Sequence, residues 1–277
     1  MLSVISRRLH LKHNNFGNNT FIGVLDSFTS GMTLCCSMNR RILTNYTGPL
    51  IRVREGGGNT ETDIYAGNNG WIDKTALTDF ANGEDLFVTK AYAQIGSVDF
   101  TQATAIYQPQ IATAGTLVED GDGLSPLLLT GPGLQASVNR VDAFGSDGGV
   151  IIVRMFEQTG TSGRGFLDIT AEDVSLWATI ESTFYFDYGG QSLGRIYAPE
   201  PSGWRDAWHV VRCSRDSGIQ EISIDGVSLV TGSKTATNSS ATVDFFFPYG
   251  TGHGGSELVA WNNGSLAAEK EAAMIVV

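Results

Sequence analysis

The sequence has 277 residues, of which 34 are glycine, 17% are charged and 42% are apolar. This composition favours many short strands joined by glycine-containing turns over long charged helices, so it predicts a β-rich globular protein. The net charge of −11 disfavours nucleic acid and anionic lipid surfaces as partners. No apolar stretch of about 18 residues is present to cross a bilayer, so membrane insertion is not expected.

The three cysteines cannot form a disulfide framework, because the odd count leaves one thiol over and Cys35 is adjacent to Cys36. The four histidines lie far from this pair in sequence, so no zinc-site spacing is present and neither a metal nor a cofactor is expected. The basic residues at the N-terminus fall within or after a short apolar run and no small-residue cleavage site follows, unlike a secretory signal. The sequence therefore predicts free thiols in a protein made in a reducing cytoplasm. A vicinal disulfide between Cys35 and Cys36 is the disfavoured alternative, because such bonds are strained.

The first part of the chain mixes strand and helix patterns. Residues 1–30 contain a cluster of asparagines around Gly17 and are expected to form an arm that docks on a neighbouring protein. In Gly31–Tyr46 apolar residues recur at steps of three and four, which predicts a short amphipathic helix. Alternation predicts a strand at Leu50–Arg54, followed by a turn at Gly56–Asn59.

A second helix is predicted at Asp73–Asn82, with its first residue as N-cap and an Asn-Gly pair as its end. Leu86–Tyr92 is predicted to be a buried strand. From about Ile111 onward, short apolar runs alternate with turn clusters at the spacing of a sandwich. Leu266–Ala273 has high helix propensity and predicts a closing helix.

One turn cluster, Glu119–Gly123, contains three carboxylates. A calcium loop is one interpretation, but the remaining oxygen ligands are missing at regular offsets, which favours a hairpin turn. The chain shows no internal repeat and no linker. It therefore predicts one compact domain over residues 31–277, behind the N-terminal arm.

The most specific pattern is the strand, turn and strand formed by Asp206–Arg215, Asp216–Gly218 and Ile219–Gly226. In each strand apolar and polar residues alternate, so that one face is offered to a core. The closing Asp-Gly pair supplies the positive φ of a tight turn. This segment resembles the strand pair of concanavalin-like and laminin-G-like proteins. The resemblance implies an all-β, concanavalin-like jelly-roll β-sandwich, here with a small N-terminal helical insertion.

A second resemblance covers residues 31–112. It depends on four ordered segments, Asn45–Arg54, Asp63–Ile64, Gln102–Thr104 and Gln108–Gln110. Together they resemble the catalytic domain of fungal α-L-arabinofuranosidase B. The same block is similar to a group of bacteriophage structural and tail-associated proteins that share this sandwich. The resemblance implies either a glycosidase or a non-catalytic virion component.

The chain departs from the enzyme family at its motifs. Where the family has Tyr-Asp-Gln-Ser-Gly, residues 92–96 place Ala93 at the acidic position. The segment that resembles the nucleophile motif, Gly194–Tyr197, contains no carboxylate, and Pro248–Gly255, matched to the catalytic acid, contains His253 but no aspartate. Retaining glycosidases need two carboxylates about 5 Å apart. The departures therefore favour a non-catalytic sandwich.

Two further carboxylates, Asp187 and Glu257, are the catalytic candidates if the chain is an enzyme. A turn residue at a strand end is the favoured alternative for Asp187. The candidates for contact with a glycan combine aromatic and polar side chains. They are Trp71, Tyr92, Gln94, Asp187, Tyr188, Trp204 and His253.

Tryptophan is more often packed in a core than exposed at a binding site, so core packing is the alternative to glycan contact for these aromatic candidates. Trp204 and Tyr188 lie beside glycine or proline and are expected to be exposed in loops, whereas Trp177 lies in an apolar strand. His209 is expected to have a structural role, and His253, between two glycines, is expected to be the more exposed histidine.

The sequence thus favours a bacteriophage virion protein, assembled in the host cytoplasm, in a tail fibre, tail tip or related appendage. Residues 1–30 would contact other virion proteins, a homo-oligomer is expected, and a host surface glycan is a candidate ligand. The alternatives are an arabinofuranosidase-like glycoside hydrolase acting on surface polysaccharide, and a capsid decoration or connector protein.

Overall fold

The segments in which apolar and polar residues alternate form β-strands along most of the described chain. The computed structural model describes residues 21–119, 133–157, 167–168, 174–180, 182–188, 194–235, 242–247 and 253–275. Within these residues, nineteen strands and three α-helices form two antiparallel sheets with small helical additions. The predicted all-β sandwich class is confirmed.

The smaller sheet has seven strands in the described part of the chain. Their order is β17 (Val227–Ser233), β16 (Ile219–Ile224), β15 (Trp208–Asp216), β10 (Gly149–Glu157), β19 (His253–Trp261), β1 (Met32–Ser37) and β5 (Ala93–Ile95). Strands β10, β15 and β19 have nine residues each and lie next to one another. Because β1 pairs with β19, the first and last strands of the sandwich are hydrogen-bonded neighbours.

The larger sheet has twelve strands among the described residues. Ten of them follow the order β14 (Arg195–Pro199), β13 (Thr183–Tyr188), β12 (Val174–Ile180), β11 (Leu167–Asp168), β18 (Thr242–Phe247), β9 (Leu134–Asn139), β6 (Phe100–Thr101), β4 (Leu86–Ala91), β2 (Ile51–Glu55) and β3 (Glu61–Ile64). Two more, β7 (Gln110–Thr113) and β8 (Thr116–Leu117), extend from β4. Both sheets therefore combine strands from early and late in the sequence.

The main core lies between the two sheets. Val153 and Leu258 of the smaller sheet and Val88, Phe100 and Phe186 of the larger sheet belong to it and are buried. Each fully buried side chain of this kind contributes about 1.5–3 kcal/mol relative to exposure. Since side chains alternate along a strand, the neighbours of these residues lie on the outer faces of the sheets.

A second core covers the outer face of the smaller sheet. Trp261 and Val150 of the sheet pack there with Met274 of helix α3 (Ala267–Ile275) and with Leu25. The indole Nε1 of Trp261 donates a hydrogen bond of 2.7 Å to the carbonyl of Phe28. Residues 21–30 of the predicted arm thus pack on the sandwich, and residues 1–20 lie outside the described residues.

The predicted helix at Gly31–Tyr46 is wrong, because Met32–Ser37 form strand β1. This strand is buried on both faces: Leu34 and Cys36 belong to the main core and Cys35 to the second core. A strand covered on both sides has apolar residues at both parities, and a short apolar run of this kind resembles a buried helix. Burial raises the pKa of both thiols, which are free.

Three other predicted elements are confirmed. Helix α1 covers Lys74–Ala81, and its N-cap Asp73 accepts a hydrogen bond of 3.0 Å from the amide of Ala76. Such a cap stabilises a helix by about 1 kcal/mol. The helix ends at Asn82, which has the left-handed φ of 44°. Strands β2 and β4 occupy the two predicted strand positions.

The strand, turn and strand from Trp208 to Val230 is also confirmed, as β15, β16 and β17. At each connection both central residues have positive φ, as in the preferred two-residue hairpins. These residues are Ser217, Gly218, Asp225 and Gly226. The polar face of the hairpin is not solvated, however, because α3, the predicted closing helix, lies over it. Nε of Arg212 donates a hydrogen bond of 2.8 Å to the carboxylate of Glu271 on this helix.

Glu119 of the turn cluster forms an ion pair of 2.7 Å with Lys74, whereas Asp120 and Asp122 lie outside the described residues. Within the described ranges, no three His, Cys, Asp or Glu side chains are grouped to hold a metal ion. None of the described helices is long and apolar enough to cross a membrane.

Candidate functional site

Asp187 lies inside strand β13, on the outer face of the larger sheet. Its neighbour Phe186 points into the main core, so the alternation of the strand turns Asp187 away from it. Arg195, opposite Asp187 in register on β14, donates from Nε and Nη2 to the two carboxylate oxygens at 2.6 and 2.7 Å. These hydrogen bonds raise the pKa of Arg195. The favoured interpretation of Asp187 as a turn residue is therefore wrong.

Two tyrosine rings lie beside this ion pair. Tyr185 and Tyr197 are opposite each other in register, with ring centroids 6.2 Å apart and planes 37° apart. The guanidinium carbon of Arg195 lies 4.7 Å from the centroid of the Tyr185 ring. Tyr197 is 64% exposed. Tyr185 and Tyr197 thus form a tyrosine surface at the edge of the larger sheet. The charged groups beside it, Arg195 and Asp187, are fixed in position by their hydrogen bonds.

Sequence inspection did not single out Tyr185 and Tyr197. The sequence did contain a signal for part of this arrangement, because residues two apart in a strand share a face. This spacing places Tyr197 on the same face as Arg195, and Tyr185 on the same face as Asp187. The pairing of β13 with β14 then unites all four residues. That pairing follows from tertiary structure and was not visible in either strand alone.

A second polar cluster lies on the opposite part of the larger sheet, across β3, β2 and β4. Arg52 donates to Asp63 at 2.7 and 3.0 Å, and the hydroxyl of Tyr92 donates to the same carboxylate at 2.7 Å. The hydrogen bonds from Arg52 hold the pKa of Asp63 below its usual value. Burial, together with the bond to Asp63, raises the pKa of Tyr92. Tyr92 is therefore held in a rigid network beside Lys90, whose ammonium lies 5.1 Å from the ring.

Gln94 and Trp71 have structural contacts. The side chain of Gln94 is buried, accepts from the amide of Ile42 at 2.7 Å and donates to the carbonyl of Arg40 at 2.9 Å. It thereby fixes the segment that follows β1. The guanidinium carbon of Arg40 lies 5.5 Å from the centroid of the half-buried Trp71 ring. Neither candidate lies on the tyrosine surface.

The expectation that Trp204 is an exposed loop residue is wrong, because its side chain is only 1% exposed. Its ring contacts Phe184 edge to face and stacks on His209, with both centroids 4.7 Å away, and its Nε1 donates to Glu157 at 2.9 Å. The flanking proline and glycine do mark a loop, but this loop folds back on the sandwich. His209 has the expected structural role, since Nδ1 lies 2.6 Å from Asp225 Oδ2.

Tyr188 is buried as well, which contradicts the prediction of exposure. It is the last residue of β13, and its ring lies 6.1 Å from that of Phe186 within the main core. Its hydroxyl donates to the carbonyl of Phe144 at 2.8 Å. His253 is the first residue of β19, and its side chain, like that of Trp177, lies outside what the structure describes.

Glu257 is completely buried and bound to Arg40, whose Nε and Nη2 donate to its two oxygens at 2.6 and 3.0 Å. Its neighbour Leu258 points into the main core, so Glu257 faces away from it on the outer side of the smaller sheet. Asp187 faces outward from the other sheet. Stacked sheets are about 10 Å apart, so the two carboxylates cannot adopt the spacing of a glycosidase pair.

The backbone register reveals another pair of acidic residues. Asp168 of β11 is opposite Asp244 of β18. Directly opposite residues of antiparallel strands have Cα atoms about 4.5–5.5 Å apart. Asp187 lies two strands from β11, opposite Ser175 of β12. Neither Asp168 nor Asp244 stood out in the sequence, because no motif surrounds them.

Comparison with known proteins shows the fold. No protein-family model and no curated protein sequence matches the chain. Among solved structures, it is similar to a GH54 α-L-arabinofuranosidase soaked with a cyclic sulfate inhibitor, at 13% identity and a TM-score of 0.68. A Glu-to-Gln variant of a GH54 α-L-arabinofuranosidase soaked with 4-nitrophenyl α-L-arabinofuranoside matches at 14% identity and a TM-score of 0.68.

An arabinofuranosidase complexed with arabinofuranosyl-α-1,2-xylobiose matches at 14% identity and a TM-score of 0.64. Each comparison covers 92% of this chain and 65% of the solved one, so this chain spans just under two thirds of the length of those proteins. At this identity the likeness establishes architecture, and a fold does not fix a function. The chain therefore has the β-sandwich fold of the GH54 α-L-arabinofuranosidases.

Proposed function

We propose that this chain is a carbohydrate-recognising β-sandwich, with sugar bound on the outer face of the larger sheet at Tyr185, Tyr197 and Arg195. The observation that carries the proposal is the pair of tyrosine rings beside a fixed guanidinium. The C–H groups of a sugar ring carry partial positive charge and pack against the negative face of an aromatic ring. A few fixed polar groups then orient the ligand through its hydroxyls.

The proposed role is binding without hydrolysis by Asp187 or Glu257. Both carboxylates have their oxygens engaged by an arginine, and they lie on opposite sides of the sandwich. A glycosidase needs one carboxylate free to attack and another able to donate a proton. Neither residue meets that requirement; Asp187 is buried and holds Arg195 in position, and the partly exposed Arg195 is the group suited to orienting a ligand.

Binding is tested by titrating the chain with neutral arabino-oligosaccharides in a calorimeter. Tyr197→Ala removes the exposed ring and is expected to weaken binding by about tenfold or more, the loss of a stacking contact worth about 1–2 kcal/mol. The matched control is Tyr107→Ala, because Tyr107 is also exposed but lies outside the strands of either sheet. Equal affinities of the two variants would remove the tyrosine surface as the binding site.

The finer part of the proposal is that this sandwich belongs to a bacteriophage virion, in a tail fibre, tail tip or related appendage. The resemblance of residues 31–112 to phage structural proteins supports this role, as does the arm expected at the N-terminus. Because residues 21–30 pack on the sandwich, the test is deletion of residues 1–20. The shortened chain is expected to fold but not to enter particles or homo-oligomers, and normal incorporation would count against the proposal.

A second candidate function, glycoside hydrolysis, is favoured by the register of Asp168 and Asp244. Directly opposite residues of antiparallel strands have Cα atoms about 4.5–5.5 Å apart, and a retaining glycosidase needs two carboxyl groups about 5 Å apart. The test is release of 4-nitrophenol from 4-nitrophenyl α-L-arabinofuranoside. Activity that is lost in both Asp168→Asn and Asp244→Asn but kept in the surface control Asp79→Asn would establish hydrolysis. An inactive wild-type chain that still binds sugar would establish the non-catalytic proposal.

A further inference from the structure

Arg154 is a buried cation without a carboxylate partner in the described part of the chain. It lies in β10 and is 7% exposed. Its neighbours Val153 and Met155 point into the main core, so Arg154 lies on the outer face of the smaller sheet. Its Nη1 is buried and has no hydrogen-bond acceptor, and among the described residues no carboxylate oxygen lies within 4.0 Å of its guanidinium nitrogens.

The carboxylate opposite Arg154, that of Glu257, is already paired with another arginine. Glu257 is opposite Arg154 in register, but both of its oxygens accept from Arg40. Glu257 therefore compensates the charge of Arg40 and leaves that of Arg154 uncompensated. A buried charge without a partner costs several kcal/mol, since water is excluded and no counter-charge replaces it.

Two other buried hydrogen-bond donors of the smaller sheet, on strands that pair with β10, also lack partners. The indole Nε1 of Trp208 is buried and unbonded, and the ring centroid lies 5.4 Å from the guanidinium carbon of Arg154. Ser256 is the extra residue of a bulge between Gly255 and Glu257, and its buried hydroxyl has no partner either. The guanidinium and the adjacent indole N–H are donors suited to an oxyanion, and Ser256 contributes a hydroxyl one residue before Glu257, which is opposite Arg154 in register.

Three segments of the sequence that lie outside the described residues contain no acidic side chain. Residues 158–166 follow β10, residues 248–252 precede β19, and neither segment contains Asp or Glu. Residues 1–20 contain none as well. A bound anionic ligand is one source of the compensating charge.

Two aromatic rings indicate which kind of anion fits. Phe156 and Trp208 are partly exposed, with centroids 5.9 Å apart, on the same face as Arg154. Phe156 is opposite Gly254, which has no side chain to fill the space beside the ring. A bare phosphate would leave these rings without a contact, whereas a sugar acid would place its ring carbons on them and its planar carboxylate on the guanidinium.

We propose that Arg154, Trp208 and Ser256 form a binding site for the carboxylate of a uronic-acid type sugar. The site lies on the outer face of the smaller sheet, opposite the tyrosine surface of the larger sheet, and does not depend on the function proposed for that surface. The carboxylate accepts from the Arg154 guanidinium and from the Trp208 indole N–H, while the sugar ring lies against Phe156 and Trp208.

The test is titration of the full chain with glucuronate, followed by tryptophan fluorescence, with glucose and inorganic phosphate as comparison ligands. Glucuronate is expected to give a saturable change that glucose does not give. Arg154→Met should weaken binding by about tenfold or more, since a charge-assisted contact is lost. Trp208→Phe keeps a ring but removes the N–H and should weaken binding less. Lys74→Met, which removes a cation far from the site, should bind as the wild type does.

A second readout separates this site from a structural role for Arg154. If the guanidinium lacks a partner in the free protein, Arg154→Met should unfold at a temperature at or above that of the wild type. A marked loss of thermal stability in that variant would overturn the proposal, since it would show that Arg154 is already paired. Glucuronate binding unchanged by Arg154→Met, or phosphate binding as tightly as glucuronate, would overturn it as well.

Discussion

Arg40 and Arg52 each hold a carboxylate through two hydrogen bonds of similar length, yet their surroundings differ. Arg40 and Glu257 are both buried, whereas the side chain of Arg52 is 39% exposed and that of Asp63 is partly exposed. Removing one partner from a buried pair leaves a charge without water or a counter-ion. Water solvates the remaining group of an exposed pair, so the same deletion costs little there.

Arg40→Met is therefore expected to lower the free energy of unfolding by about 3–5 kcal/mol, because Glu257 keeps its burial and loses the guanidinium. The matched control Arg52→Met should lower it by about 1 kcal/mol or less. Urea denaturation followed by circular dichroism measures both. Similar losses in the two variants would show that burial does not separate these pairs.

The tryptophans and tyrosines show which residue properties the sequence could not supply. Glycine and proline beside Trp204 and Tyr188 do mark the ends of regular structure, as predicted. Whether a ring in such a place points outward or inward depends on how the loop folds back. Phe184, Glu157 and His209 create the pocket for Trp204, and none of them is close to it in sequence except His209.

Helix α3 is held to the smaller sheet by a buried network centred on Glu271. This carboxylate accepts from Arg212 at 2.8 Å, from the hydroxyl of Ser223 at 2.6 Å and from the amide of Gly226 at 2.9 Å. The polar residues of the predicted hairpin are thus matched to the closing helix. The sequence predicted both elements, but their contacts join residues 45 to 59 positions apart and could not be predicted from alternation.

Glu271→Ala is expected to destabilise the chain by about 3 kcal/mol or more, because Arg212 and two other donors lose their acceptor. Glu269→Ala, two residues earlier on the exposed side of the same helix, should change stability by about 0.5 kcal/mol or less. Hydrogen exchange of Ala267–Ile275 should increase only in the first variant. Retained protection in Glu271→Ala would show that the apolar contacts alone hold the helix.

The same helix should respond to pH through Lys270. Burial lowers the pKa of Lys270 to about 8, and its ammonium lies 4.8 Å from the centroid of the Trp261 ring. An unfolded lysine has a pKa of about 10.4, so between these values the unfolded chain binds more protons than the folded one. Lys270 therefore makes the free energy of unfolding rise as pH rises from about 8 to about 10, by at most about 3 kcal/mol.

Buried thiols with raised pKa values act in the opposite direction over the same range, so the measurement must be a difference between two chains. The free energy of unfolding of the wild type relative to that of Lys270→Met should increase from about pH 8 to about pH 10. A difference that is constant with pH would show that Lys270 is solvated in the folded chain.

Strand β1 illustrates why one element was predicted with the wrong type. Its apolar residues serve two cores at once, so its sequence lacks the alternation of a half-buried strand. Where only one face is buried, as in β2, or where turn residues fix the connection, as in the Trp208–Val230 hairpins, the predictions were correct. In β1 the local pattern alone did not separate a strand buried on both faces from a helix.

At the scale of the whole molecule, the sandwich itself was predictable because its turns and alternation are local, and its resemblance to the arabinofuranosidase sandwich is confirmed by structure. The arrangement on its two outer faces was not predictable. The register of β13 with β14 brings Tyr185 to Tyr197, and the pairing of β10 with β15 and β19 sets Arg154 beside Trp208. Such pairings depend on residues far apart in the chain, which one sequence does not reveal.

The most direct measurement is hydrogen exchange of the full chain with and without a neutral arabino-oligosaccharide at saturating concentration. Slower exchange is expected in Thr183–Tyr188 and Arg195–Pro199, which carry the tyrosine surface, with little change in Trp208–Asp216 on the other sheet. Binding that slows exchange elsewhere but leaves these two strands unchanged would contradict carbohydrate recognition by the outer face of the larger sheet.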